Sequence, residues 1–400
     1  MSSSRPPSIF SAVAQSAFLS VGFRPFFFFG ILFSALSGLL WAWFWSPLGQ
    51  SPFFSTWQPL AGMAFWHAHE MINGFVFAII AGFLLTAVQN WTGMKTVNGL
   101  GLLALLGCWI VARVVFALSA SVPFAWLLVT QLLPILGLML AIGRPIVLTR
   151  LWRNLFVVAA LALWAINEGQ VLIAARNNEI AHGLLLAQLY TVLLYIAMIA
   201  GRVVPFFMAN RLGIPKAVEP KWQFIACIAP LVLMILNLST FNHAGLNTVL
   251  LGVLAVAHAL RLRTWHHKSI WQEPMLYSLL LAYASLPVAL LMMVADRLFA
   301  LSWGAIPLHV LTLGTMGALI VAMVGRVSLG HTGRSINAVP AIRLGLILVL
   351  AALIVRTALP LMTGWHPAVM ALSAALWAAA FLVMFGYFAK IWWLPRPDGR

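Results

Sequence analysis

The chain has 400 residues, 63% of them hydrophobic and 8% charged, with mean hydropathy +1.01. Apolar content so far above the roughly one half of a soluble domain, in runs of about 20 residues, excludes a soluble protein and puts the chain in a bilayer. The 23 basic and 7 acidic residues give a formal charge of +16, but the basic ones fall between apolar runs, where they act as topology determinants beside anionic headgroups; no nucleic acid partner is expected.

The segment up to Val21 is short and polar and lacks the charged start, apolar centre and small-residue cleavage site of a signal peptide, so insertion is expected to rely on the first span. Apolar windows then place spans near 26–45, 61–88, 97–117, 122–142, 154–174, 181–201, 221–239, 245–261, 276–295, 302–324, 342–361 and 367–389. The expected architecture is all-α, a polytopic membrane bundle of about twelve helices. Residues 1–24 form a short cytoplasmic segment, 25–390 the bundle and 391–400 a cytoplasmic tail. The connections are too short for a separate domain. Cys108 and Cys227 sit alone in different apolar runs, which argues against a disulfide framework or a cysteine-paired metal site.

Loop charge tests the count. With the amino terminus inside, only Arg113, Arg176, Arg297 and Arg356 fall toward the outer face, and every other basic residue, from Arg5 to Arg400, lies inside. A miscounted helix would invert the pattern from that point on, so the expected topology is N-in, C-in.

The second span opens with "FWHAHEM", Phe65 to Met71. His67 lies about 9 Å of helix below the outer end of that span. His309 enters the tenth span at the same depth, Glu168 near the end of the fifth also falls there, and His182 opens the sixth just above. Ionisable residues are costly in hydrocarbon and face a bundle interior, a cavity or a metal. At about 100° per residue, His67, Glu70, Met71 and Gly74 share a face that continues through Ala78 and Gly82, small enough for close helix approach, while His69 points almost opposite. The two histidines are therefore expected to serve two half-sites. Three imidazoles at one depth, His67, His69 and His309, suit haem or copper. His243, His258, His266, His267 and His366 lie in loops or at helix ends and read as structural.

Offsets of Gly, Ala, Thr and Gly after His69 (Gly74, Ala78, Thr92, Gly93) recur after His309 (Gly314, Ala318, Thr332, Gly333), which favours His69 over His67 as the positional partner of His309. The inner face carries "QNWTG" from Gln89, "GRVVPFFMAN" from Gly201 and "GRVSLGHTGR" from Gly325. Their glycines free the backbone, and Arg202, Arg326, His331 and Arg334 could bind a propionate, a phosphate or a headgroup. Neither a P-loop nor a dinucleotide fingerprint is present.

Taken together, Phe65 to Gly93, Gly201 to Asn210 and His309 to Arg334 strongly resemble the NnrS family of bacterial inner-membrane proteins. The resemblance implies a twelve-helix protein containing haem and copper, linked to denitrification and tolerance of nitric oxide. Its motif residues carry over to His67, His69, Glu70, Asn90, Trp91, Thr92, Gly93, Arg202, Pro205, Asn210, His309, Arg326, His331 and Arg334. A weaker, architectural likeness to the haem-copper oxidase catalytic subunit implies a haem between helices two and ten; the tenth span lacks a second histidine and the seventh lacks a histidine pair.

The expected function is binding or conversion of nitric oxide or a related small molecule by a haem- and copper-containing protein, with electrons from a respiratory donor. His309 and one of His67 or His69 would be axial haem ligands, the other histidine with Glu70 or His182 would hold or orient copper, and Glu168, paired with Arg113 or Arg176, would relay protons with Glu70. The rival reading is a secondary transporter that uses the same intramembrane His and Glu side chains for proton or anion coupling.

Overall fold

A computed structural model describes residues 16–177, 179, 181–337 and 339–398. Arg5 and Arg400, both assigned to the inner side, lie outside the described residues. Among the described residues, twelve helices are long and apolar enough to cross a membrane: α1 (Phe23–Trp45), α2 (Gly62–Thr92), α3 (Gly99–Ala117), α4 (Phe124–Leu148), α5 (Phe156–Arg176), α6 (His182–Leu212), α7 (Lys221–Ser239), α8 (Ala244–Trp265), α9 (Pro274–Phe299), α10 (Ile306–His331), α11 (Pro340–Thr363) and α12 (Pro367–Trp393). This is a multi-pass membrane protein. Among the described residues there is no strand, as expected where every backbone polar group in hydrocarbon must be paired within its own segment.

Several helices outrun their hydropathy windows at one end. α6 continues to Leu212 and α10 to His331, so "GRVVPFFMAN" is the last turns of a helix rather than a connecting loop. Hydropathy reports the depth of hydrocarbon, whereas a helix ends where its backbone stops pairing. For α6 that point is Gly213, which adopts a left-handed φ of 66° that suits glycine.

Helices adjacent in sequence mostly pack together, and α12 closes the bundle by packing along α1. The Arg24 guanidinium at the start of α1 donates to the carbonyls of Trp392 (3.1 Å) and Leu394 (2.6 Å) at the end of α12, so the two ends lie on one side. α2 and α10 are the innermost helices: their apolar windows are 83% and 72% buried, against 22–56% for the other ten. Residues on α2 and α10 therefore face protein on nearly every side. That is why an apolar segment can carry histidines and a glutamate without meeting lipid.

Both central helices contain a π-helical stretch beginning right after a histidine: Glu70–Val76 after His69 and Val310–Gly317 after His309. The equivalence of His69 and His309 read from spacing thus has a backbone counterpart. Wider i→i+5 turns rotate later side chains away from their regular helical positions and often mark functional sites.

The small-residue face of α2 packs as expected. A Cβ at Gly82 would lie 3.1 Å from Phe23 Cα, and one at Gly30 would lie 2.9 Å from Ala78 Cβ. Replacing Gly82 by Leu should force α1 from α2, costing about 1–3 kcal/mol by overpacking. A lowered apparent Tm in detergent is the expected readout, with Gly252→Leu, where a Cβ meets nothing within 4 Å, as the unaffected control.

Candidate functional site

α2 separates two polar environments. On one side His69 is fully buried, its ring stacked on Phe116 with centroids 3.8 Å apart and planes 11° from parallel. Its Nδ1 is hydrogen-bonded to Glu70 Oε1 (3.0 Å) and its Nε2 to Glu168 Oε1 (2.9 Å). Glu70 Oε1 also accepts from Arg113 Nη1, and Arg113 Nη2 donates to Gln131 Oε1 (2.6 Å). Gln188 donates to Glu168 Oε2 (2.6 Å) and accepts from Asn73 (3.1 Å), whose carbonyl takes the Trp164 indole N–H (2.7 Å). One chain of hydrogen bonds thus ties α2 to α3, α4, α5 and α6.

Ionised carboxylates only accept, so a histidine bonded to one at each nitrogen requires one more proton than a neutral imidazole with two carboxylates. Whether held as imidazolium or carboxylic acid, that proton and Arg113 make the group of four neutral. Buried ion pairs persist only when so satisfied.

Glu70 departs from its expected place. It lies with His69 and Arg113 rather than on the His67 face, because the π-helix begins at Glu70 and its carboxylate is drawn to the guanidinium of α3. Glu168 pairs with His69, while Arg176 packs over Phe124 at 4.6 Å.

On the other side of α2 lies a cavity of about 230 Å³ between α1, α2, α6, α10, α11 and α12. His67, His182, His309, Met71, Met316, Met370 and Arg356 line it, among mostly apolar neighbours. The His67 ring stacks on Trp41 (4.3 Å, 7°), and its buried Nδ1 has no hydrogen-bond partner. His309 Nδ1 donates to the Ala305 carbonyl (2.7 Å), which fixes the tautomer and leaves Nε2 with its lone pair. A carbonyl holding the far nitrogen is the usual support of a ligating imidazole. His67, not His69, therefore shares the cavity with His309. A second, smaller apolar cavity continues from the first and shares Val76, Val192, Met316 and Ile320 with it.

With this geometry, the sequence match can be placed. The profile described as NnrS protein matches residues 17–396. The chain belongs to the NnrS family. Comparison with curated proteins gives no match.

The other NnrS-like motif residues lie away from the histidine cavity. Arg202 donates to Asn154 (3.0 Å) and packs over Trp91 and Phe156. Arg326 sits 3.6 Å over the Phe207 ring, about 25 Å along α10 from His309. His331 ends α10, its ring 5.8 Å from Phe23, and Arg334 donates to the Thr332 carbonyl. None of the four lines the cavity. Histidines read as structural behave so: His243 and His366 cap α8 and α12, and His258 bonds Tyr283 (2.7 Å).

Three contributors were missed from sequence. Gln188 and Gln131 are polar residues within apolar spans, a signal that could have drawn attention. Arg356, in "LIVRTAL", was read only as an outer charge. Among the described residues, no group of three or more His, Cys, Asp or Glu can hold a metal ion. In the His69 group the carboxylates sit at opposite ring edges and converge on no common point.

Arg113→Met should leave Glu70 buried with one proton donor fewer, costing about 3–5 kcal/mol. Adding Glu70→Gln should recover most of that loss. Thermal unfolding of the single and double variants provides the cycle; a double variant no more stable than Arg113→Met would contradict the pairing.

Proposed function

We propose that this protein binds haem in the cavity between α2 and α10, where His67 and His309 would hold the iron. We propose further that it works in the bacterial inner membrane, in the handling of nitric oxide or a related nitrosyl species. The observation that carries the reading is a pair of imidazoles, one from each of the two most buried helices, meeting at one cavity with ring nitrogens unspent. A bound haem would supply an iron centre for one-electron or diatomic-ligand chemistry, with electrons drawn from a respiratory donor.

The chain's own residues would do the rest. Trp41 and the Ala305 carbonyl hold the two rings in orientation. Met71, Met316 and Met370 give an adaptable, soft wall that excludes water. Glu70 and Glu168 hold a proton at His69 on the far side of α2, one helix thickness from the cavity. His69 itself is a poor metal ligand because both its nitrogens are already bonded. His182, exposed at the start of α6, reaches the cavity. Among the described residues no three His, Cys, Asp or Glu side chains are grouped to hold a metal ion, so no copper ligands are named.

The same buried chain from Gln131 to Trp164 favours a second reading, a transporter that couples proton movement to an anion. Counterflow by metal-free protein in liposomes would support that alternative.

Expression with haem supplied should give purified protein with a Soret band and iron near one per haem. His67→Ala and His309→Ala should each change or abolish the band, while His69→Ala should keep the axial-ligand spectrum and lose thermal stability. Absence of a Soret band from folded, haem-exposed protein would refute the assignment.

Loop charge further supports the N-in, C-in orientation, with the cavity toward the outer face. In spheroplasts, an impermeant maleimide should label Phe241→Cys directly and Val218→Cys only after lysis. Both positions are highly exposed.

A further inference from the structure

The chain has only seven acidic side chains, and each has a partner elsewhere. Glu70 and Glu168 belong to the His69 group, and Glu219, Glu273 and Asp398 pair with Arg261, Arg211 and Arg396. Glu179 meets Asn177, and Asp296 accepts from the Trp303 amide. None of the seven lines the histidine cavity.

Arg356 does line it. Its guanidinium lies over Trp365 at 4.9 Å, which covers one π-face but offers no acceptor, and its Nη1 is buried without a hydrogen-bond partner. Among the described residues it takes part in no ion pair. Arginine stays charged in proteins, and its fork of donors matches an oxyanion. An uncompensated guanidinium inside a membrane helix is costly, and such residues mark ligand sites.

We propose that Arg356 anchors an acidic group, a carboxylate, of the molecule that occupies the His67–His309 cavity. The identity of that molecule rests on the haem reading above; the demand for an anion rests on the unbonded Nη1 of a guanidinium in the cavity wall, where no acidic side chain reaches. The role expected from sequence for Arg202, Arg326, His331 and Arg334 thus passes to a residue on α11, because those four lie too far along their helices to reach a group seated at His67 and His309. His67, His309 and Arg356 together define an occupant that offers a ligand-accepting centre and an acid on one edge.

Full-length protein in detergent and in phosphatidylcholine nanodiscs would be titrated with haemin and with haemin dimethyl ester. The ester masks both propionates and leaves the iron unchanged. Wild type should bind the diacid at least about tenfold more tightly, as one charge-assisted contact provides. Arg356→Gln should abolish that preference by losing diacid affinity only, with ester affinity and axial-ligand spectrum preserved, and Arg356→Lys should restore part of it.

Equal affinity of wild type for the two porphyrins overturns the proposal without any variant. So does a preference undiminished in Arg356→Gln. A wild-type preference seen in detergent but absent from the phosphatidylcholine discs assigns Arg356 to a lipid headgroup and overturns it as well. Failure of folded wild type to bind either porphyrin is a separate result: it overturns the haem reading and this proposal with it.

Discussion

His69, bonded through one ring nitrogen to Glu70 and through the other to Glu168, holds α2 against α3 and α5, and the rest of the site depends on that constraint. In hydrocarbon neither carboxylate can turn to water, so the cost of separating the partners clamps the helix in one rotation. His67, two residues earlier and thus about 200° around the helix, is thereby turned toward α10. A polar cluster that looks like chemistry works first as alignment: it fixes which face of the central helix meets the cavity.

The cavity side follows a different rule. There the polar groups are incompletely satisfied, with an orphan nitrogen on His67 and an orphan amine on Arg356. Buried polar atoms are rarely left unpaired in a native interior. On the His69 side both ring nitrogens are bonded to carboxylates, whereas on the cavity side His67 keeps a free one; that difference separates the structural half of the motif from the ligand-binding half.

Much of this was legible in the residues. Hydropathy located all twelve helices, because a span must be about 20 apolar residues long whatever it packs against. Depth counting brought His67, His182, His309 and Glu168 to one level, since helix rise is constant. Rotation was less legible. Glu70 fell with His69 because a π-helix begins where a regular period was assumed, and a backbone defect of that kind leaves no mark in hydropathy. Arg356 escaped notice for a related reason: its meaning lies in the absence of an acid nearby, and only the packed bundle defines what is nearby.

The sequence by itself determined the class of protein, the number and order of its helices, and the histidines worth watching, because these follow from local chemistry and from the thickness of a membrane. The tertiary structure decided which helices are central, that His67 rather than His69 meets His309, and that the Arg356 guanidinium borders their cavity with a buried nitrogen left unbonded. Those outcomes depend on side chains far apart in sequence competing for the same few partners, and that competition is settled only when the helices pack.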